Sequence, residues 1–117
     1  MMTLICGHSR AGKTTYSQRY DCKVLHFDDI RDYQAVINEV KKEDGDIVVE
    51  GIYFNPHNRA NLCKAYNGKT VCILIDTPTE VRAKRMGRET LHPYPFGVPS
   101  YEEGWDEIVI LRGDSDG

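Results

Sequence analysis

A chain of 117 residues has the length of one domain, and 40% hydrophobic with 28% charged residues is an ordinary globular balance, which excludes disordered and collagen-like classes. The net charge of -3 excludes a globally basic nucleic-acid binder. No apolar run approaches the ~18 residues of a membrane span, and the N-terminus carries no secretory pattern, so a cytoplasmic chain without membrane contacts is expected. Cys6, Cys22, Cys63 and Cys72 form no C-x-x-C pair and read as free thiols of a reducing compartment.

In chain order, residues 2–6 form a short apolar run ending at Gly7, which predicts a buried strand. Residues 7–14 form a glycine-bounded loop and residues 13–20 a helix. Residues 23–27 predict a second strand, stopped by Asp28-Asp29. From 29 to 43, Ile30, Tyr33, Val36, Ile37 and Val40 recur at spacings of three and four. That spacing predicts one amphipathic helix with Asp29 as its N-cap. A turn at Asp44-Gly45-Asp46 leads to a third strand over 47–49, ending at Glu50-Gly51. Pro56 suits the first turn of a helix running to Tyr66, closed by Asn67-Gly68. Residues 70–75 predict a fourth strand, 77–88 a helix with Thr77 as cap, 89–100 a proline-rich loop and 108–111 a last strand before an acidic tail. Strands that alternate with helices and are apolar throughout indicate an α/β fold: a three-layer sandwich around a mainly parallel five-stranded sheet. Ligands of such sheets bind beyond the carboxyl ends of the strands. Here those ends bring Gly7, Asp28, Glu50 and Asp76 to one edge.

Gly7-His8-Ser9-Arg10-Ala11-Gly12-Lys13-Thr14 satisfies the G-x-x-x-x-G-K-[ST] pattern in full, between a predicted strand and a predicted helix. This is the P-loop NTPase signature. Its glycines allow backbone N–H groups to face phosphate oxygens, and the following helix adds its positive end. Lys13 is expected to reach the β- and γ-phosphates and Thr14 to place its hydroxyl on Mg²⁺, with Thr15 beside it in the nucleotide site. His8 and Arg10 occupy variable loop positions, with His8 a filler or minor substrate contact. ATP or GTP is the implied donor, since no base-reading motif distinguishes them.

A P-loop does not by itself specify chemistry. A guanine-reading N-K-x-D segment is missing; Asn67-Gly68-Lys69-Thr70 lacks its order and its aspartate. Phosphoryl transfer to an alcohol benefits from a carboxylate that takes the hydroxyl proton, and Asp28 at a strand end suits that task. Asp29 reads as a helix cap that also faces the acceptor, and Arg31 as the holder of an acceptor anion. Glu50 ends Ile47-Val48-Val49-Glu50, which resembles a Walker B element and is expected at Mg²⁺. Arg82, Arg85 and Arg88 recur every three residues and run into the Gly/Pro-rich segment, the pattern of a kinase lid. Arg85 and Arg88 are the expected clamps on the transferring phosphoryl. The lid spans approximately residues 82–100 of a single domain over 1–117.

With these residues in view, the chain resembles the phage-type polynucleotide 5′-hydroxyl kinase family. The resemblance rests on the P-loop, on Asp28-Asp29-Ile30-Arg31, on Asn55-Pro56-His57-Asn58-Arg59-Ala60-Asn61-Leu62, on Lys84-Arg85 with Arg88, and on the segment from Pro99 to Ile108. It implies that Asp28 is the general base, that Arg31 contacts the acceptor's phosphate, and that a nucleic acid or nucleotide accepts the γ-phosphate. The lid segment is shorter than in that family. The shorter lid also suits a bulky acceptor, such as a strand end or a modified base like 5-hydroxymethyluracil within DNA, and equally a small-molecule or nucleotide kinase. A nucleotide-binding switch or ATPase is the reading from another class. Tyr94, Phe96, Tyr101 and Trp105 are candidates either for stacking on a base or for local packing. The oligomeric state has no signature in the sequence.

Overall fold

The apolar runs near the start and middle of the chain become the inner strands of one sheet. In the computed structural model, which describes residues 1–7, 13–53, 55–76 and 99–112, the strands are β1 (Met2–Cys6), β2 (Lys23–His26), β3 (Ile47–Glu50), β4 (Thr70–Asp76) and β5 (Glu107–Arg112). Their spatial order is β2-β3-β1-β4-β5, and each neighbouring pair is parallel. The helices are α1 (Lys13–Ser17), α2 (Phe27–Ile30), α3 (Tyr33–Lys42) and α4 (Pro56–Ala65), with a 3₁₀ turn at Tyr101–Glu103. This is the expected α/β sandwich of the P-loop type. No helix among the described residues is long and apolar enough to cross a membrane.

Side-chain alternation along the strands sorts the core into two layers. Leu4, Cys6, Val49, Cys72 and Leu74 face Val36 and Val40 of α3 and Leu62 and Cys63 of α4. On the opposite face Ile5, Val48 and Ile75 pack with Tyr16 of α1 and with Tyr20, Cys22 and Val24. Each fully buried aliphatic side chain of this kind contributes about 1.5–3 kcal/mol. The three inner strands are buried almost throughout, which explains why their sequences do not alternate. β2 lies at an edge and is only partly covered, so it keeps Lys23.

Several boundaries differ from the sequence expectations; α4 ends one residue early at Ala65, β4 runs on to Asp76, and β5 extends by one residue at each end. The single helix expected over 29–43 is two helices. Arg31 adopts a left-handed conformation (φ 56°) and its N–H closes α2 on the Phe27 carbonyl at 2.7 Å. Asp32, not Asp29, caps the longer helix: its Oδ1 accepts from Gln34 N at 2.9 Å and Ala35 N at 3.3 Å. The hydrophobic stripe survives the break because Ile30 still packs against the core beside Val36 and Val40. β2 stops at His26, since Phe27 turns in against Tyr33 and Tyr53 and starts α2 at once. The first helix ends at Ser17, and residues 18–20 follow as tighter i→i+3 turns. β3 runs one residue further than expected and includes Glu50. The helix expected over 77–88, with Arg82, Arg85 and Arg88, lies outside the described residues. So do residues 89–98 and the loop residues His8, Ser9, Arg10, Ala11 and Gly12.

α4 begins as its sequence suggests, with Asn55 Oδ1 accepting from His57 N at 2.8 Å and Pro56 in the first turn. It carries a charge into the core. Arg59 is 1% exposed, and its guanidinium meets Glu103 through Nε–Oε1 at 2.9 Å and Nη2–Oε2 at 3.0 Å. Arg59 Nη1 also donates to the Tyr53 carbonyl at 2.9 Å, and Trp105 Nε1 donates to Glu103 Oε1 at 2.9 Å. One buried bidentate pair thus ties the loop after β3 to the segment before β5.

Candidate functional site

Because all five strands are parallel, Gly7, His26, Glu50 and Asp76 arrive at the same edge of the sheet. Gly7 leaves β1 at φ 151°, a conformation suited to glycine, and its N–H reaches the Ile52 carbonyl at 3.4 Å. The Gly51 N–H donates to the Ile5 carbonyl at 3.1 Å, so the loops after β1 and β3 leave side by side. Gly51 is required by space as well: a Cβ there would stand 2.7 Å from Phe27 Cβ.

Glu50 is the centre of this edge. Its carboxylate is buried, at 4% exposure, and a buried carboxylate needs hydrogen-bond donors. Thr14 of α1 donates its hydroxyl to Glu50 Oε1 at 3.3 Å. His26 Nδ1 lies 2.8 Å from Glu50 Oε2. A carboxylate oxygen accepts, so Nδ1–H is the donor of this contact. Thr14 is itself fixed by the first turn of α1, where Ser17 Oγ donates to its carbonyl at 2.7 Å. The expected pair of Thr14 and Glu50 is therefore brought together by the fold. Lys13 opens α1 and is buried; Thr15 follows Thr14 and is exposed.

Asp28 and Asp29 are exposed on α2, directly after His26 at the same sheet edge. Asp29 does not cap a helix. Arg31 closes α2 rather than opening the following helix, and its Nε donates to the Asp28 carbonyl at 3.0 Å, which keeps the two residues adjacent. Phe27, Tyr33 and Tyr53 stack behind them with ring centroids 4.4–5.5 Å apart. Burial pushes the Tyr53 phenol well above its ordinary pKa. Tyr53 also has a left-handed backbone (φ 40°), held through its carbonyl by Arg59. Asp76 ends β4 and is exposed. Trp105 is not available for stacking on a base: it is 3% exposed and bonded to Glu103. Tyr101 remains at the surface, and Tyr94 and Phe96 lie outside the described residues.

Two features were missed in the sequence. His26 has no signal in the sequence, because it is the β2–β3 register of the folded sheet that places it beside Glu50. The Arg59–Glu103 pair has no local signal, because its partners stand far apart in the chain.

The oxygen donors fit a hard divalent cation. Mg²⁺ uses one or two protein oxygens and completes its shell with phosphates and water. Thr14 Oγ1 and the Glu50 carboxylate are such donors. Among the described residues no group of three or more His, Cys, Asp or Glu side chains forms a self-sufficient metal cage. No protein-family model matches the chain, and no curated protein matches it.

Proposed function

We propose that this chain is a P-loop kinase that moves the γ-phosphate of ATP, or of GTP, to a hydroxyl of a nucleic acid or nucleotide. The observation that carries the reading is the Thr14–Glu50 contact at 3.3 Å, standing where the G-x-x-x-x-G-K-T loop opens α1. A phosphate loop followed by a hydroxyl beside a buried carboxylate is the arrangement that a triphosphate with its cation requires.

In this reading residues 7–14 cradle the phosphates, with Lys13 on the β- and γ-phosphates. Mg²⁺, held by Thr14 and Glu50, would supply neutralisation of phosphate charge. Asp28 accepts the proton of the acceptor hydroxyl as its oxygen attacks the γ-phosphorus; the bond to the β-phosphate oxygen breaks and the nucleoside diphosphate leaves. Arg31, next to Asp28, holds an anionic group of the acceptor, with Asp29 on the same short helix. Arg85 and Arg88 of the lid, approximately residues 82–100, offset the charge of the transferring phosphoryl. The exposure of Asp28 and its adjacency to Arg31 support an acceptor entering from solvent, as a strand end or nucleotide would. A modified-base hydroxyl in DNA, such as 5-hydroxymethyluracil, fits the same chemistry.

Incubation with labelled ATP and a panel of DNA, RNA, nucleosides, nucleotides and hydroxymethylated DNA tests this. Label on one of these acceptors is the expected result, and the panel names it. Release of free phosphate alone identifies an ATPase or switch. Asp28→Asn is expected to keep ATP binding and lose transfer by ~10²–10⁴-fold; wild-type transfer in that variant removes Asp28 from the mechanism.

A further inference from the structure

We propose that His26 is the positioning residue of the Glu50 carboxylate: by holding Oε2 it presents Oε1 to Thr14 and so sets how strongly a divalent cation couples to nucleotide binding. The inference rests on the cation-handling role given to Glu50 above.

The sheet itself dictates the contact. In the β2–β3 register His26 stands opposite Glu50, and in the β1–β3 register Ile5 does. Paired residues of parallel strands share a face, so His26, Glu50 and Ile5 lie on the α1 side, where Thr14 is. The carboxylate is thereby held between two elements, with Oε2 on Nδ1 of His26 at 2.8 Å and Oε1 on the Thr14 hydroxyl at 3.3 Å. Packing does not account for the histidine. Its side chain is 36% exposed at the edge strand, whereas the side chain of Glu50 is 5% exposed. Helix capping does not account for it either. His26 occupies the N-cap position of α2, yet its side chain makes no capping bond and turns to Glu50 instead. Loss of the imidazole leaves Oε2 buried without this donor, and the carboxylate is free to swing out of line with Thr14. Outer partners of this kind change metal affinity by roughly 10–100-fold.

The test uses side chains that place an N–H at different points. The Asn amide nitrogen overlays imidazole Nδ1, whereas the Gln amide nitrogen overlays the far ring nitrogen. The affinity of a fluorescent ATP analogue is measured in EDTA and in saturating Mg²⁺ for wild type, His26→Ala, His26→Asn, His26→Gln and Glu50→Gln, each confirmed folded by circular dichroism. The ratio of the two affinities is the coupling between cation and nucleotide. His26→Ala is expected to lower the ratio about tenfold with the EDTA value unchanged. His26→Asn stays near wild type, and His26→Gln resembles His26→Ala. An unchanged ratio in His26→Ala overturns the proposal while leaving Glu50 in its role, provided Glu50→Gln still lowers the ratio. Failure of His26→Asn to restore the ratio overturns the Nδ1 geometry. A wild-type ratio of one, or no nucleotide binding at all, removes the cation reading of Glu50 and the proposal with it.

Discussion

Replacing Arg59 with Leu removes a buried guanidinium that spans two loops, and its cost follows from what is left behind. Arg59 is 1% and Glu103 8% exposed, so both charges have been taken out of water and depend on each other. Breaking such a pair by removing one partner costs about 3–5 kcal/mol, because the other charge stays buried. The Tyr53 carbonyl also loses its donor, adding part of the ~1–3 kcal/mol of an unsatisfied buried acceptor. A loss near 4 kcal/mol is a large share of the ~5–15 kcal/mol available to a domain of this kind. Trp105 is the sole tryptophan and its indole donates to Glu103, so its fluorescence reports the same spot. With a urea m-value of roughly 2 kcal/mol/M, the midpoint is expected to fall by about 2 M. For comparison, the Lys23–Glu39 pair is 46% and 41% exposed, and Lys23→Ala is expected to leave the midpoint nearly unchanged. A midpoint for Arg59→Leu within ~0.5 M of wild type refutes the claim that the pair anchors the loop after β3.

Gly51→Ala forces a Cβ to within 2.7 Å of Phe27 Cβ, so a thermal melt is expected to show a loss of about 1–3 kcal/mol. Asp32→Ala is expected to cost about 1 kcal/mol by denaturation and Asp29→Ala almost nothing, which separates the observed cap from the one suggested by sequence. Stability is expected to fall in alkali. Burial raises the pKa of the Cys63 thiol and the Tyr53 phenol, and the contact with the Cys6 thiol together with burial raises that of the Cys72 thiol, above their ordinary values of 9.0, 10.0 and 9.0. The folded state then holds protons that the unfolded chain releases. The stabilisation is complete below the unfolded values and is lost as pH rises past about 9, by up to ~1.4 kcal/mol per pH unit per group. Denaturant midpoints between pH 7 and 10.5 measure this, and a midpoint that does not fall above pH 9 contradicts the burial of these groups.

Much of the architecture was legible because the inner strands are buried on both faces. Runs such as Ile47-Val48-Val49 need no alternation to be recognised, and the P-loop fixed where β1 ends. The break at Arg31 was not legible. Ile30, Tyr33, Val36 and Val40 keep helical spacing across it, and nothing local distinguishes Asp29 from Asp32 as a cap. The choice is made by Phe27, which turns in against Tyr33 and Tyr53, residues close only after folding. Glu50 was legible as the acidic end of an apolar strand. Its partner His26 required the β2–β3 register, which a single sequence does not contain. Trp105 left two readings open, stacking on a base or local packing, and the structure decides for packing: Glu103 holds its indole nitrogen inside.

The strand order has a kinetic consequence. β1 is the central strand, yet Met2 pairs with Ile47 on one side and Thr70 on the other. The most apolar early segment therefore waits for both neighbours, and every pairing it makes closes a long loop. Parallel sheets of such non-local contacts fold slowly and leave strand edges open to other chains meanwhile. At roughly 5–20 residues per second, synthesis itself leaves β1 without a partner for several seconds. The strand that delivers Gly7 to the sheet edge thus gains its second neighbour only after β4 has been made.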